Sequence, residues 1–290
     1  VAETETSDDT IDGGTGADTI YSGGGSDTIV IRTGDGGSTI ADADVIKDFT
    51  DGTDVIGLAT GSGALAYTDL TIAQGSGSNA SHVLVSKTSS SEYIAMIENI
   101  NVSNVNYYDF VSMATGSQTL TGTTGDDVLL GASGVDTVTT NTGTDVVLGY
   151  GGDDAITING SGSKTIDGGS GTDTVSISYS GITSLSSFTV SMDLSGSLSL
   201  LNAGNETIKL TNIINTAQGL GAGLTVNGRD YKFIDTAASN NSRGRGSMHD
   251  GSLGGTQGVV WDSSNREIFL YLESSYSHAT FHASRVYNNS

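Results

Sequence analysis

A nine-residue spacing of aspartate constrains this chain more than any other feature of its sequence. Asp9, Asp18 and Asp27 are nine residues apart, and a large aliphatic residue stands two positions after each of them. The spacing returns in a second block at Asp127, Asp136, Asp145 and Asp154, with Asp173 following after two periods and one inserted residue. Self-similarity at so short a period indicates a solenoid, in which small repeats stack and bury a continuous core.

The repeat has a chemical pattern as well as a period. Segments 13–21 and 168–176 match the whole nonapeptide G-G-x-G-x-D-x-U-x, where U is a large aliphatic residue. The x-U-x triplet predicts a short strand with one inward side chain, and the glycine-rich half predicts a tight turn. Such a turn aims carbonyl oxygens to one side, where the aspartate adds a carboxylate. These ligands suit Ca²⁺, which accepts about six to eight oxygens in flexible geometry, whereas Zn²⁺ would favour His or Cys. The predicted cofactor is therefore calcium.

The acidic residues are unusual in kind and in distribution. The chain has 33 acidic and 11 basic residues, and 26 of the acids are Asp. Residues 1–177 carry 25 acids and 4 bases, whereas residues 178–290 carry 8 acids and 7 bases. So much negative charge argues against nucleic acid as a partner, and no apolar run is long enough for membrane insertion. Cysteine is absent, which excludes disulfides and thiolate metal sites.

These repeats resemble the RTX (repeats-in-toxin) family of calcium-binding proteins, whose nonapeptides wind into a parallel β-roll. The resemblance implies that two nonapeptides form one coil and that loops two repeats apart hold an ion between them. The implied pairs are Asp9 with Asp27, Asp127 with Asp145, Asp136 with Asp154, and Asp154 with Asp173. No site is expected beyond Asp145, because the opposite position falls near Ser163, where no acid is present.

The resemblance extends to the segment between the two blocks. Residues 34–58 look like the part that closes such rolls, and residues 67–74, 82–85, 93–105 and 107–111 resemble the capping strands of serralysin-type secretion modules. The candidate calcium ligands, with carboxylates from Asp and carbonyls from Gly, are Asp9, Gly14, Gly16, Asp18, Gly23, Gly25, Asp27, Asp44, Asp48, Asp54, Gly125, Asp127, Gly134, Asp136, Gly143, Asp145, Gly152, Asp154, Gly169, Gly171 and Asp173.

The remainder of the chain is predicted to be β-rich. Alternating segments after residue 178 predict five or more antiparallel strands, forming a small sandwich or a cap on the roll, with a hairpin at Asn227-Gly228. The predicted fold class is all-β. It comprises an RTX β-roll with capping strands at residues 1–115, a second roll at 116–177 and a β-rich C-terminal domain at 178–290.

Two groups of residues outside the repeats invite a catalytic interpretation. His278 and His282 have the HxxxH spacing of zinc proteases, but the Glu of H-E-x-x-H is missing and the segment alternates like a strand. Ser247, His249 and Asp250 are neighbours in sequence, whereas a hydrolytic triad is assembled by the fold. The chain is therefore predicted not to be an enzyme.

The function predicted is that of an extracellular, cell-surface structural protein, exported by type I secretion, that folds and self-assembles on Ca²⁺. It would resemble surface-layer or adhesin proteins. Its expected partners are further copies of itself, in a homo-oligomer or polymer, with cell-surface polysaccharide as a second candidate. Arg243 and Arg245 are candidates for docking on an acidic roll.

Three alternatives stay open at this point. The chain could be the non-catalytic secretion or stability module of a hydrolase whose catalytic domain lies upstream. It could be a phage or host-binding module. It could also be a metal-free solenoid in which aspartate only caps turns.

Overall fold

The computed structural model of the protein describes residues 6–192, 197–213 and 224–235, and three further strands at 259–262, 267–270 and 279–282. The chain divides into two compact units, Val1–Thr115 and Gly116–Ser290. Among the residues that the structure describes, no helix is long and apolar enough to cross a membrane.

The secondary structure consists of short strands and single turns of 3₁₀ helix. The strands of the first unit are β1 (Thr10–Asp12), β2 (Thr19–Ile20), β3 (Thr28–Ile31), β4 (Asp44–Ile46), β5 (Val55–Leu58), β6 (Leu70–Gln74), β7 (Val83–Lys87), β8 (Glu92–Ile97) and β9 (Phe110–Ser112). Those of the second unit are β10 (Thr119–Thr121), β11 (Val128–Ala132), β12 (Thr137–Thr139), β13 (Asp145–Tyr150), β14 (Ala155–Ile158), β15 (Lys164–Asp167), β16 (Thr174–Ile177), β17 (Phe188–Met192), β18 (Leu198–Asn202), β19 (Thr207–Thr211), β20 (Leu224–Val226), β21 (Arg229–Asp235), β22 (Val259–Asp262), β23 (Glu267–Leu270) and β24 (Ala279–His282). The 3₁₀ helices lie at Ile40–Asp42, Tyr67–Asp69, Gly77–Asn79, Val102–Asn104, Tyr107–Asp109 and Leu185–Ser187.

In the first unit, successive repeats contribute to opposite sheets. β1, β3, β5 and β9 form one parallel sheet, in which Ile11 lies opposite Ile29 and Ile29 opposite Ile56. β2, β4 and β8 form the other parallel sheet, which β7 and β6 extend as an antiparallel meander. Ile29 and Ile56 are fully buried, so the aliphatic position of the repeat forms the core between the two sheets. The strands predicted as caps are present as β6 to β9.

The second unit repeats this arrangement over more coils. β10, β12, β14 and β16 form one parallel sheet, and β11, β13 and β15 form the other. The first sheet aligns the aliphatic column Leu120, Val138, Ile156 and Val175, and the second aligns Leu129, Val147 and Ile166. The predicted all-β fold with parallel β-rolls is confirmed.

Both sheets of this unit continue past residue 177. β20 pairs in parallel with β16 and β19 with β15, so Leu224 and Leu210 extend the columns of Val175 and Ile166. Each of these two strands also pairs antiparallel on its other side, β19 with β18 and β20 with β21, so the expectation of antiparallel strands holds for one side of each. The parallel pairing on the other side arises because their aliphatic residues fit the columns of the roll, although the glycine-aspartate pattern is lost. β17 and β18 then join one sheet as an antiparallel hairpin, and β21 to β23 join the other sheet. The division into three domains stays a prediction.

The predicted hairpin at Asn227-Gly228 is confirmed. β20 and β21 are antiparallel, with Val226 opposite Arg229. Asn227 has φ of 47° and Gly228 has φ of 73°. A two-residue type I′ turn requires positive φ at both central residues, which Asn and Gly adopt most readily.

Ile156 offers a test of the aliphatic column. It is 1% exposed and lies in register between Val138 and Val175. We expect Ile156→Ala to lower the free energy of unfolding by about 2–5 kcal/mol, because it removes buried methylenes and leaves a cavity. The measurement is urea denaturation of the full chain in excess calcium.

The matched control is Val135→Ala, since Val135 is 53% exposed in a turn of the same unit. Its effect should stay within about 0.5 kcal/mol. Equal losses in the two variants would show that the column is not the core of the roll.

Candidate calcium sites

The aspartates at the sixth position of the repeats bond each coil to the next. In each pair the backbone N–H of the earlier Asp donates to Oδ1 of the later one, over 2.8–3.1 Å. These pairs are Asp9–Asp27, Asp27–Asp54, Asp18–Asp44, Asp127–Asp145, Asp136–Asp154 and Asp154–Asp173. The structure thus brings together all four pairs that the resemblance implied and adds two that involve the closing segment. Each of these bonds fixes Oδ1 and directs Oδ2 elsewhere.

Several of the remaining carboxylate oxygens are buried without a hydrogen-bond partner. They are Oδ2 of Asp27, Asp44, Asp154 and Asp173, and Oδ1 of Asp35. An ionised carboxylate that is removed from water without a compensating charge costs several kcal/mol, so these atoms require a cation or a proton. The free oxygens fit Ca²⁺, because it is a hard cation that binds carboxylate and carbonyl oxygens. Calcium bound there would supply positive charge between adjacent coils.

Most of the oxygen atoms that could bind calcium at each candidate site belong to the backbone, and few belong to side chains. Among the described residues, no three His or acidic side chains group around one point. The backbones of successive loops instead approach closely. A Cβ on Gly171, where φ is 137°, would lie 2.0 Å from the carbonyl oxygen of Gly152. Only glycine permits this approach, and it places carbonyl oxygens of one loop against the next loop.

Glycine at the first position of the repeat makes room for the carboxylate itself. A Cβ on Gly149 would lie 2.3 Å from Oδ2 of Asp154, and a Cβ on Gly168 would lie 2.4 Å from Oδ2 of Asp173. These glycines were not among the predicted ligands, although the motif contains them. Their role is to leave space for the carboxylate.

The predicted glycines divide into two groups by backbone conformation. Positive φ is found at Gly14, Gly16, Gly23, Gly25, Gly143, Gly152, Gly169 and Gly171. Gly125 and Gly134 lie outside that region. Both belong to the first repeats of the second roll, where the sequence already departs from the full motif.

In the first unit, the charges of three other aspartates act on Asp44. The pKa of Asp44 is raised to about 6, chiefly by burial and in addition by the charges of Asp35, Asp18 and Asp12. A Cβ on Gly13 would lie 3.2 Å from Oδ2 of Asp18 and 3.3 Å from Oδ2 of Asp44, so these two oxygens flank one point. Asp12 and Asp35 were missed in the sequence because they stand outside the sixth position. Two features of the sequence could have indicated them: Asp12 is an acid at the ninth position of its repeat, and Asp35 lies between two glycines.

Four other predicted ligands have both carboxylate oxygens occupied by hydrogen bonds. Asp48 accepts from the backbone N–H groups of Ser22 and Gly23, at 2.9 and 3.1 Å. Asp54, besides its bond to Asp27, accepts from the N–H of Thr50 at 2.7 Å. Asp127 and Asp136 likewise accept from protein donors at both oxygens. These four aspartates cap turns, and their binding of calcium stays a prediction.

One coil of the second roll carries a lysine where the others carry aspartate. The residue opposite Asp145 is Lys164, whereas the sequence analysis placed Ser163 there. That register was wrong by one residue, because the inserted residue lies before Lys164. The Lys164 ammonium lies 3.0 Å from Oδ2 of Asp145, and both side chains are 0% exposed.

The column of Asp136, Asp154 and Asp173 has aspartate, and no lysine, at the sixth position of each repeat. The pKa of Asp154 is raised to about 6, chiefly by burial and in addition by the charges of Asp173 and Asp136. Burial also raises the pKa of Asp173 to about 6. Asp154 stands between two partners, since it accepts from Asp136 and donates to Asp173. It is therefore the carboxylate on which two candidate sites depend.

We expect Asp154→Asn to raise the calcium concentration needed for folding by about tenfold or more, because it removes one anionic ligand but keeps the Oδ1 acceptor. The measurement is a calcium titration of the full chain followed by far-UV circular dichroism.

The matched control is Asp153→Asn, one residue away. Asp153 is exposed and its Oδ1 accepts only from the N–H of Thr172, at 2.8 Å. Its titration midpoint should stay close to that of the unchanged protein. Equal shifts in both variants would mean that general charge, and not a site at Asp154, governs the response.

Comparison with known proteins agrees with this geometry. A family model for the RTX calcium-binding nonapeptide repeat matches the chain in four copies, at residues 3–38, 114–147 and 130–157. The search of curated proteins found no match. The matched ranges contain the linked pairs Asp9–Asp27, Asp127–Asp145 and Asp136–Asp154. Residues 3–38 and 114–157 of the chain therefore consist of RTX calcium-binding nonapeptide repeats.

Proposed function

We propose that this protein is an extracellular structural protein whose rolls fold on calcium and then assemble with further copies of the chain, as surface-layer or adhesin proteins do. The observation that carries the proposal is the set of buried carboxylate oxygens without partners at Asp27, Asp44, Asp154 and Asp173. RTX repeat proteins are typically secreted, which supports an extracellular location in general.

Calcium would act as a folding ligand. In the unfolded chain the carboxylates are hydrated and far apart. Stacking of the coils brings Asp136, Asp154 and Asp173 into one bonded column and buries them. Because such a site does not exist before folding, the free energy of ion binding becomes free energy of folding. Extracellular modules bind calcium at about millimolar levels, so the chain would stay unfolded at the low calcium concentration of a cell interior. This behaviour suits type I secretion.

The geometry of the second unit supports assembly. β10 and β11 are each the edge strand of their sheet, and they belong to successive repeats of the roll. An edge strand presents backbone donors and acceptors that can pair with another chain. Residues 1–177 of each chain carry 25 acidic residues. Calcium in the loops would therefore also reduce the repulsion between the rolls of neighbouring chains. Stacking of one roll on another is a heterologous contact, which extends into a filament or sheet.

The proposal assigns no catalysis to the chain. Arg243, Arg245, Ser247, His249 and Asp250 lie outside the described residues, and so does His278. His282 ends strand β24, opposite Thr189.

We expect the full chain to scatter more light with increasing protein concentration when calcium is present, and to stay monomeric in a chelator. The reason is that folded, charge-compensated rolls are needed before their edges can meet. Static light scattering should be recorded at near-physiological salt, with magnesium at equal concentration as the control. Electron microscopy of the calcium sample should then show a regular sheet or filament.

A calcium-loaded chain that is folded but monomeric at all concentrations would contradict the assembly proposal. The protein would then be a secretion or stability module that serves another domain. Assembly with magnesium alone would show that screening, rather than calcium in the loops, drives association.

A further inference from the structure

The coil that carries Lys164 has the backbone of a calcium loop. Gly143 and Gly162 occupy the fourth position of two stacked repeats, and a Cβ on Gly162 would lie 2.0 Å from the carbonyl oxygen of Gly143. The neighbouring column has the same separation, 2.0 Å, between a Cβ on Gly171 and the oxygen of Gly152. The two layers therefore stack equally closely, and they differ in the side chain at the sixth position of the later repeat.

The Lys164 ammonium has three oxygen partners. It donates to the carbonyl oxygens of Gly143 at 2.5 Å and Ser161 at 3.0 Å, and it lies 3.0 Å from Oδ2 of Asp145. This set joins loop carbonyls from two coils to the carboxylate of the sixth position. Carbonyl and carboxylate oxygens of this kind are also the candidate calcium ligands in the layers that have aspartate at the sixth position of both repeats.

The hydrogen bonds of Asp145 differ from those of Asp154 because Lys164 stands where the neighbouring column has Asp173. Where an aspartate follows, as at Asp173, its Oδ1 accepts the backbone N–H of Asp154 at 2.9 Å. Asp145 has no such partner, and its N–H donates to the carbonyl oxygen of Ser163 at 3.1 Å. With lysine in place of aspartate, this layer has one carboxylate instead of two, and the ammonium of Lys164 supplies the positive charge that pairs with Asp145.

A buried ammonium is stable only when each of its three N–H donors has an acceptor. Lysine carries three N–H donors, and here the contacts are to two carbonyls and one carboxylate in a fully buried position. A compact point charge is also closer to a metal ion than the planar guanidinium of arginine would be.

We propose that the Lys164 ammonium is a built-in substitute for calcium in the layer between Gly143 and Gly162. This layer binds no ion and is closed by a cation that the chain itself supplies. The inference rests on the proposed calcium sites of the neighbouring layers. It means that one coil of the second roll can form before calcium binds, and can serve as a template on which the calcium-dependent coils stack.

The test is to restore the acid of the repeat with Lys164→Asp in the full chain. We expect this variant to bind one calcium ion more than the unchanged protein, and to need more calcium before it folds. Bound calcium is counted by equilibrium dialysis with elemental analysis, and folding is followed by circular dichroism. The control is Lys209→Asp, which makes the same change of charge on the next coil, where Lys209 is exposed and lies opposite Thr165. It should bind no additional ion.

A second variant decides the case in which Lys164→Asp does not fold. Lys164→Asn offers an oxygen ligand without a second negative charge, and it should also gain one ion. A Lys164→Asp chain that folds without the additional ion would overturn the inference. So would an Asn variant that gains none, or that stays unfolded at saturating calcium. If the unchanged protein binds no calcium at all, the proposed calcium sites fail instead, and the two failures are distinguished.

Discussion

Burial of aspartate between coils is the constraint on which this structure depends. The carboxylate at the sixth position accepts the backbone N–H of the preceding coil through Oδ1, as Asp173 does from Asp154. That bond sets the register of the coils, and it also buries the second oxygen. Oδ2 of Asp173 and Asp154 then has no protein donor. A charge buried in this way costs more than one neutral hydrogen bond returns, so the coil needs a cation.

The same need is met in different ways along the chain. Asp54 and Asp136 have a backbone N–H group at each oxygen, from Thr50 and Asp27 and from Ala132 and Gln118. Asp145 has the ammonium of Lys164. Asp27, Asp44, Asp154 and Asp173 have neither, and they are the positions at which calcium would determine stability. The roll is thus a mixture of layers, of which only some depend on an external ion.

Part of the fold could be predicted from the period. Since aspartate and the aliphatic residue recur together, the period predicts the inward column. The pairs of Asp127 with Asp145 and Asp136 with Asp154 were implied by the resemblance to RTX rolls, in which two repeats form one coil. The turn at Asn227-Gly228 could be predicted because few other residue pairs adopt positive φ at two successive positions. The register around Lys164 could not be predicted, because one inserted residue in a polar turn has no fixed position in a pattern. Asp35 was missed because the fold, and not sequence spacing, brings it to Asp44. The coils beyond residue 177 were missed because burial in the columns of Val175 and Ile166 requires aliphatic residues only.

A crystal structure of the calcium-loaded protein, with anomalous scattering recorded at a wavelength sensitive to calcium, tests the central claim most directly. The account predicts anomalous peaks beside Oδ2 of Asp27, Asp44, Asp154 and Asp173, and none between Asp145 and Lys164. Buried carboxylates without an anomalous peak at Asp154 and Asp173, in a roll that keeps the same register, would contradict it.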